Sequence, residues 1–320
     1  MGIRLLNKYI KTNCKKGVNV IKMENLRGKY IVIDTSIYLY RFLQEEVLLE
    51  NFYLLLSLLK YYNITGIFVF DGKPPEEKYK LIQKRNSVKA DAREKYKELE
   101  IKINEINDNV YEKEGKNVIE NEMVELKKKF VKLERYHIDS IKKLITAFGE
   151  SYIDAEGEAD QLCAKLVIKK IAYACLSEDM DLFLYGCPRV LRYLSLLNES
   201  MVLYNLSEIL KELEISLNDF RQICVLSGTD YNDNNGLDLY KSVEFYKSYK
   251  NDEKNNNNID FYTWIDNNMK GIVNIIELYV INNMFLLDNV NLKLYKINRT
   301  LIDKDNIKEI MKQDGFIFIN

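Results

Sequence analysis

The sequence predicts an α/β fold: a central, mainly parallel, twisted sheet flanked by helices. Three short runs rich in β-branched and aromatic residues, Lys29-Tyr-Ile-Val-Ile-Asp34, Gly66-Ile-Phe-Val-Phe-Asp71 and Ala172-Tyr-Ala-Cys-Leu-Ser-Glu-Asp179, read as buried strands. Helical patterns such as Glu50 to Tyr62 and Ala159 to Lys170 separate them, and strands alternating with helices make βαβ units. Each run also closes on an acid. In open α/β sheets the working crevice lies beyond the carboxyl ends of the strands, so all three acids are expected at one edge.

Between the second and third strands lies more chain than a crossover helix needs. From Glu122 onward, Met123, Leu126, Phe130, Leu133, His137, Ile141, Leu144 and Phe148 recur at spacings of three and four, which predicts one long amphipathic helix. His137, the only histidine, falls in that stripe and reads as a partly buried core residue rather than a ligand. Ahead of it, residues 73–103 carry ten Lys or Arg against six Asp or Glu, with Tyr79 and Tyr96 interleaved. Alone, such a run is more often a solvated helical face than a nucleic-acid surface. Asn251 to Asp260, NDEKNNNNID, can bury almost nothing and reads as a polar loop. An apolar helical pattern around Ile272 to Leu287 and a mixed tail follow, so residues 261–320 are expected to pack back onto a core spanning 1–250.

Composition excludes several classes. The 320 residues hold 47 basic and 48 acidic side chains and 47% hydrophobic residues, as a globular protein does, and this bulk charge favours no polyanion. Five scattered cysteines, Cys14, Cys163, Cys175, Cys187 and Cys224, form no C-x-x-C pair and read as reduced, structural and intracellular. The start is too polar for a signal peptide and no apolar run approaches the roughly 18 residues of a membrane span, so a soluble protein without a membrane partner is expected. With a single histidine, Ser-His-Asp or Cys-His machinery has at most one member and an H-E-x-x-H zinc site is impossible. Gly28-Lys29, Gly72-Lys73 and Gly115-Lys116 are each followed by something other than Ser or Thr, so there is no Walker loop. Any chemistry would run on carboxylates.

Seven acids stand out: Asp34 and Asp71 at strand ends, Glu158 and Asp160 opening a helix, Asp179 and Asp181 after the third strand, and Asp230 in Gly228-Thr-Asp-Tyr231. Singly, each has an ordinary explanation as a turn former or a helix N-terminal acid. Together, three strand ends on one edge converge on one crevice. Two carboxylates ~4 Å apart repel by about 1 kcal/mol in water and about 4 kcal/mol at an effective dielectric of 20. Divalent cations remove that cost, and an all-oxygen set without histidine or cysteine suits Mg²⁺ or Mn²⁺ rather than zinc. Two such ions would form the clamp that supports phosphodiester hydrolysis.

These stretches resemble the flap endonucleases, within the wider group of 5′ structure-specific nucleases that includes the xeroderma group G repair nuclease. The similar segments are Met1-Gly-Ile, Val32-Ile-Asp34-Thr-Ser-Ile-Tyr-Leu-Tyr40, Val69-Phe-Asp71-Gly-Lys-Pro-Pro75, Tyr152-Ile-Asp-Ala-Glu-Gly-Glu158-Ala-Asp160, Ser177-Glu-Asp179-Met-Asp181 and Leu226-Ser-Gly-Thr-Asp230-Tyr, spread over nearly the whole chain. The resemblance implies that Asp34, Asp71, Glu158, Asp160, Asp179, Asp181 and Asp230 bind two Mg²⁺ ions, with Mn²⁺ as a substitute. It implies that Lys78 and Arg85, seven and fourteen residues after Asp71, hold the scissile phosphate; that spacing places them on one helical face. Tyr40 would stack on a base at the junction, and Gly2 would pack beside the active site. Residues 84–147 would form a helical arch passing a single-stranded 5′ flap, and 217–250 a helix-hairpin-helix-like region gripping duplex through Gly236 and Lys241. The implied activity is 5′ flap endonuclease and 5′ to 3′ exonuclease in replication, recombination or repair. The partner is branched or flapped DNA with a free 5′ strand, met by a monomer in the nucleus or cytoplasm.

Departures matter too. Asp160 stands where the family has a second glutamate, one methylene longer, and is still expected to ligate. Asn235-Gly236-Leu-Asp-Leu-Tyr-Lys241 lacks the second glycine and the proline of the family's hairpin, which puts monovalent-cation-assisted duplex binding in question. No sliding-clamp peptide is evident in Lys312 to Asn320, so a minimal nuclease is expected. The alternatives are a catalytically silent DNA-junction binder on the same scaffold, which the full acid set argues against, and an aspartyl-phosphate phosphatase. The latter usually wants a second acid two residues on, where Asp34 is followed by Thr35 and Ser36.

Overall fold

Seven strands form one mixed sheet in the order β1-β7-β6-β5-β2-β3-β4: β1 (Val18–Lys22), β2 (Tyr30–Asp34), β3 (Thr65–Phe70), β4 (Ser151–Asp154), β5 (Ala174–Leu176), β6 (Arg189–Ser195) and β7 (Ser200–Asn205). The computed structural model describes residues 2–105, 113–232, 236–253, 259–268, 273–287, 290, 292, 297, 299–313 and 315–318. From β4 to β6 every neighbouring pair is parallel, and β7 and β1 add antiparallel pairings. The three strands read from sequence are thus adjacent, in the order β5, β2, β3. β3 is buried along its whole length, as a central parallel strand covered on both faces should be.

Alternate residues of these strands enter two cores. Val32, Ile67, Val69, Cys175 and Val190 face one layer, built from helices α1 (Leu6–Asn13), α7 (Ala159–Ile168), α8 (Asp181–Leu184), α9 (Leu206–Leu213), α10 (Leu217–Leu226), α11 (Leu239–Glu253), α12 (Phe261–Asn268) and α13 (Ile275–Met284). Ile31, Ile33, Phe68, Phe70 and Leu176 face the other, built from α2 (Thr35–Gln44), α3 (Leu48–Tyr61), α6 (Arg135–Ala147) and α14 (Lys304–Gln313). The helices after the polar stretch therefore serve both layers, α12 and α13 on one face and α14 on the other.

The insertion differs from the expected single helix. The stripe beginning near Glu122 is split between α5 (Lys113–Lys129) and α6, with residues 130–134 between them. The Glu134 N–H donates to Nδ1 of His137, 3.0 Å away, and this contact helps start α6. The two halves of the stripe serve different cores, although the spacing runs on across the break. Leu126, Met123 and Phe130 pack with Ala92, Tyr96 and Leu99 of α4 (Tyr79–Glu105), whereas Ile141 and Leu144 enter the main core. His137 is half-buried. At 27 residues α4 is about 40 Å long. It pairs with α5, and residues 106–112 of the insertion lie outside the described residues.

Two smaller differences bear on the site. The third strand, Ala174–Leu176, is shorter than the run read from sequence; the Ser177 N–H still donates to the Leu191 carbonyl at 3.1 Å, and its hydroxyl turns onto Asp34 at 2.8 Å. Helix α11 runs into the polar stretch as far as Glu253; residues 254–258 of that stretch lie outside the described residues.

Candidate active site

Asp34 ends β2, Asp71 follows β3 directly, Glu158 and Asp160 open α7 after β4, and Asp179 and Asp181 follow β5. All six stand at the carboxyl edge of parallel strands. Local packing brings the middle pair of segments together. Asp71 accepts the Ala159 N–H at 2.8 Å, capping α7 from another segment, and the Gly72 N–H donates to the Gly157 carbonyl at 2.7 Å. A Cβ on Gly72 would lie 2.1 Å from the Ala155 carbonyl oxygen, so only glycine lets these loops pass.

The second grouping is more buried. Ser177 donates to Asp34 at 2.8 Å and accepts the Asp179 N–H at 3.1 Å, while the Asp181 N–H donates to Asp179 Oδ1 at 3.0 Å. Burial pushes the Asp34 carboxyl well above the usual range, with Asp71 and Asp179 adding to it and the Ser177 hydroxyl opposing. Asp160 is raised by burial and then by Glu158. Asp181 is raised by burial and then by Asp179 and Asp230; it is 0% exposed, and among the described residues neither of its carboxylate oxygens has a hydrogen-bond partner. Two orphaned oxygens on a buried acid among other acids are what an all-oxygen cation site offers its ion.

Two cations enter the cluster. Lys78, in a tight turn before α4, ion-pairs with Glu158, and its ammonium lies 4.9 Å from the centre of the Tyr231 ring. Burial works against its charge, but Asp160 and Glu158 outweigh that and hold it above the ordinary lysine range. Arg85, on α4, donates to Asp230 at 3.0 Å. Gly2 completes the wall: a Cβ there would lie 2.4 Å from Asp181 Oδ1 and 2.7 Å from Asp179 Oδ1, and its φ is +75°. Among the described residues no three His, Cys, Asp or Glu side chains form a ready-made ligand group. Asp71 is turned to α7, while Glu158 and Asp230 are drawn to Lys78 and Arg85, so the acids meet as linked neighbours rather than as one closed shell.

Residues 1–92 match the XPG N-terminal domain and residues 149–230 the XPG I-region. Flap endonuclease 1 of Methanococcus aeolicus is 29% identical over 95% of this chain and 97% of its own length. That of Glycine max is 31% identical over 80% of this chain and 69% of its own. The chain belongs to the flap endonuclease family. These are structure-specific nucleases, metal-dependent in general. The match to Flap endonuclease 1-A of Oryza sativa, 31% identical, spans 62% of that protein's length. The catalytic core of Rad2 in complex with a DNA substrate superposes with a TM-score of 0.70 over 98% of this chain and 96% of that one, at 18% identity, which is a likeness of fold.

The family resemblance also singled out Tyr40, Gly236 and Lys241. Tyr40 on α2 is 41% exposed, with the Lys89 ammonium 5.5 Å from its ring centre. Gly236 and Lys241 sit at the start of α11, both exposed, and the Lys241 N–H donates to Asp238 at 2.9 Å; Asn235 lies outside the described residues. The sequence reading missed Tyr231, whose hydroxyl donates to Glu158 Oε2 at 2.6 Å and lies 3.3 Å from the Tyr185 hydroxyl. It also missed Ser177. Both adjoin motif acids, but with 23 tyrosines in the chain neither signal rises above background.

Gly2→Ala tests the wall at residue 2. The methyl group must displace Asp179 or Asp181, so we expect an about tenfold weaker apparent Mg²⁺ affinity. A divalent-ion titration of the melting temperature measures it, and an unchanged midpoint would show that the wall is not needed.

Proposed function

We propose that this protein is a Mg²⁺-dependent 5′ flap endonuclease and 5′ to 3′ exonuclease. The observation carrying this is the buried Asp181 carboxylate, whose two oxygens have no hydrogen-bond partner among the described residues, set among acids from four parallel strand ends. Asp34, Asp71, Glu158, Asp160, Asp179, Asp181 and Asp230 would hold two divalent ions, with Mn²⁺ able to replace Mg²⁺. Bound there, the ions would neutralise the carboxylates and stabilise charge on the phosphodiester oxygens.

The chain's own groups do the rest. Lys78 and Arg85 keep N–H donors beyond those given to Glu158 and Asp230, and these would grip the scissile phosphate and stabilise its developing charge. Exposed Tyr40 would stack on a base at the junction, which selects shape without reading sequence. The paired helices α4 and α5 would form the arch for a free 5′ strand, and Gly236 before α11 and Lys241 in its first turn would face the duplex. The chain would act as an intracellular monomer on flapped or branched DNA; among the described residues no helix is long and apolar enough to cross a membrane.

The test is cleavage of a 5′-flap duplex. Purified protein should cut near the junction in Mg²⁺ or Mn²⁺ and stop on chelation. Tight flap binding without cutting in either metal would point instead to a junction binder on this scaffold.

A further inference from the structure

Behind the acid cluster lies a buried polar joint that the proposed chemistry does not use. Arg192, on β6, is 6% exposed. Its Nη2 donates to the Glu178 carbonyl at 2.9 Å, its Nη1 to Asn7 Oδ1 at 2.8 Å, and Nη1 also lies 2.7 Å from the Met180 sulfur. Asn7 belongs to α1; its Oδ1 also accepts from the Tyr204 hydroxyl at 2.8 Å, and its Nδ2 donates to the Tyr193 hydroxyl at 2.6 Å. Glu178 returns to β6 by accepting the Tyr193 N–H at 2.6 Å. One guanidinium thus grips the residues on both sides of Asp179 and the helix that begins four residues after Gly2.

We infer that Arg192 is a positioning residue for the acid cluster: with Asn7 it locks the 177–181 loop to the amino-terminal segment, so that Asp179 and Asp181 stay against Gly2. This rests on the metal-site reading above. The planar fork is what the joint requires. A lysine would keep the charge near Glu178, but a single ammonium cannot span the Glu178 carbonyl, the Met180 sulfur and the Asn7 amide in that fixed geometry. Loss of a group that orients ligands typically weakens metal binding about 10- to 100-fold.

The experiment compares wild type with Arg192→Lys and Asn7→Ala, using Glu150→Gln as a control. Glu150 is a buried acid that ion-pairs with Lys60 at 2.6 Å and accepts the Gly66 N–H at 3.0 Å, in a part of the fold outside the cluster. Hydrogen exchange in chelator should show the Asp179 and Asp181 amides opening about tenfold faster in Arg192→Lys and Asn7→Ala, but not in Glu150→Gln. The Mg²⁺ midpoint from thermal shift should rise about tenfold in the first two only, with little change in KM for flap DNA. Wild-type exchange at those amides, or an equal midpoint rise in Glu150→Gln, overturns the inference. If wild type itself shows neither metal stabilisation nor cleavage, the metal-site reading falls, and the exchange data alone then decide whether Arg192 orders the loop.

Discussion

Asp181→Asn is expected to abolish flap cleavage, by at least about a thousandfold, and yet to make the metal-free protein more stable. A thousandfold corresponds to about 4 kcal/mol of transition-state stabilisation, the scale on which a metal ligand acts. The stability gain has a separate cause. The carboxylate is fully buried, has no hydrogen-bond partner among the described residues and is repelled by Asp179 and Asp230. An amide of the same shape keeps the packing and removes the charge, a gain of about 1 kcal/mol or more. The pH dependence follows. The folded carboxyl titrates above its ordinary 3.8, so over the window between the two values the native state holds a proton that the unfolded chain has lost. Stability in chelator therefore falls as pH rises from the ordinary aspartate range to the raised value, and Asp34 and Asp160 act in the same direction. Mg²⁺ should oppose the fall by binding only the native state. Thermal melts of wild type and Asp181→Asn from about pH 4 to about pH 8, with and without Mg²⁺, measure all of this. A variant that melts below wild type in chelator, or cuts at the wild-type rate, would contradict it.

What could be read from the sequence follows from which signals are local. β2 and β3 were legible because continuous apolar runs ending in aspartate have few other uses, and their buried faces confirm the parallel centre of the sheet. β6 and β7 pair antiparallel at one side, with polar residues such as Arg192 and Ser195 in the run, so their pattern carried no comparable signal. β1 is an edge strand with Val20 75% exposed, and β4 spans only four residues. The break between α5 and α6 was hidden because Phe130, Leu133 and His137 keep helical spacing across it, and spacing does not say which core each side chain enters. Within the candidate site, the placement of acids at strand ends and helix starts followed from the sequence. What did not follow was which charges pair. Lys78 with Glu158, Arg85 with Asp230, and the Arg192 joint each link residues at least 12 positions apart, and only the fold sets those distances.

Lys78 and Arg85 look equivalent by spacing, but their surroundings predict different losses. Lys78→Met should reduce cleavage about a hundredfold to a thousandfold, as removal of one preorganised donor to a developing charge does. It should also lower stability in chelator by about 3 kcal/mol, because the Glu158 side chain, 13% exposed, would lose its ion-pair partner beside Asp160 and Asp181. The raised lysine pKa fixes the pH behaviour. Its stabilising contribution is complete below the ordinary 10.5 and is lost only as pH rises through the higher folded value, so across the neutral range the lysine stays charged. Arg85→Met should impair cleavage too. Its side chain is 47% exposed, however, so the pair with Asp230 is partly solvated and its loss should cost under about 1 kcal/mol. Mg²⁺ provides the discriminating control: it neutralises the same acids, so it should restore most of the lost melting temperature of Lys78→Met while leaving the cleavage defect in place. If Lys78→Met melts like wild type in chelator, Lys78 is not the counter-charge of the cluster. If Mg²⁺ restores cleavage along with stability, Lys78 holds the site together without touching the phosphate.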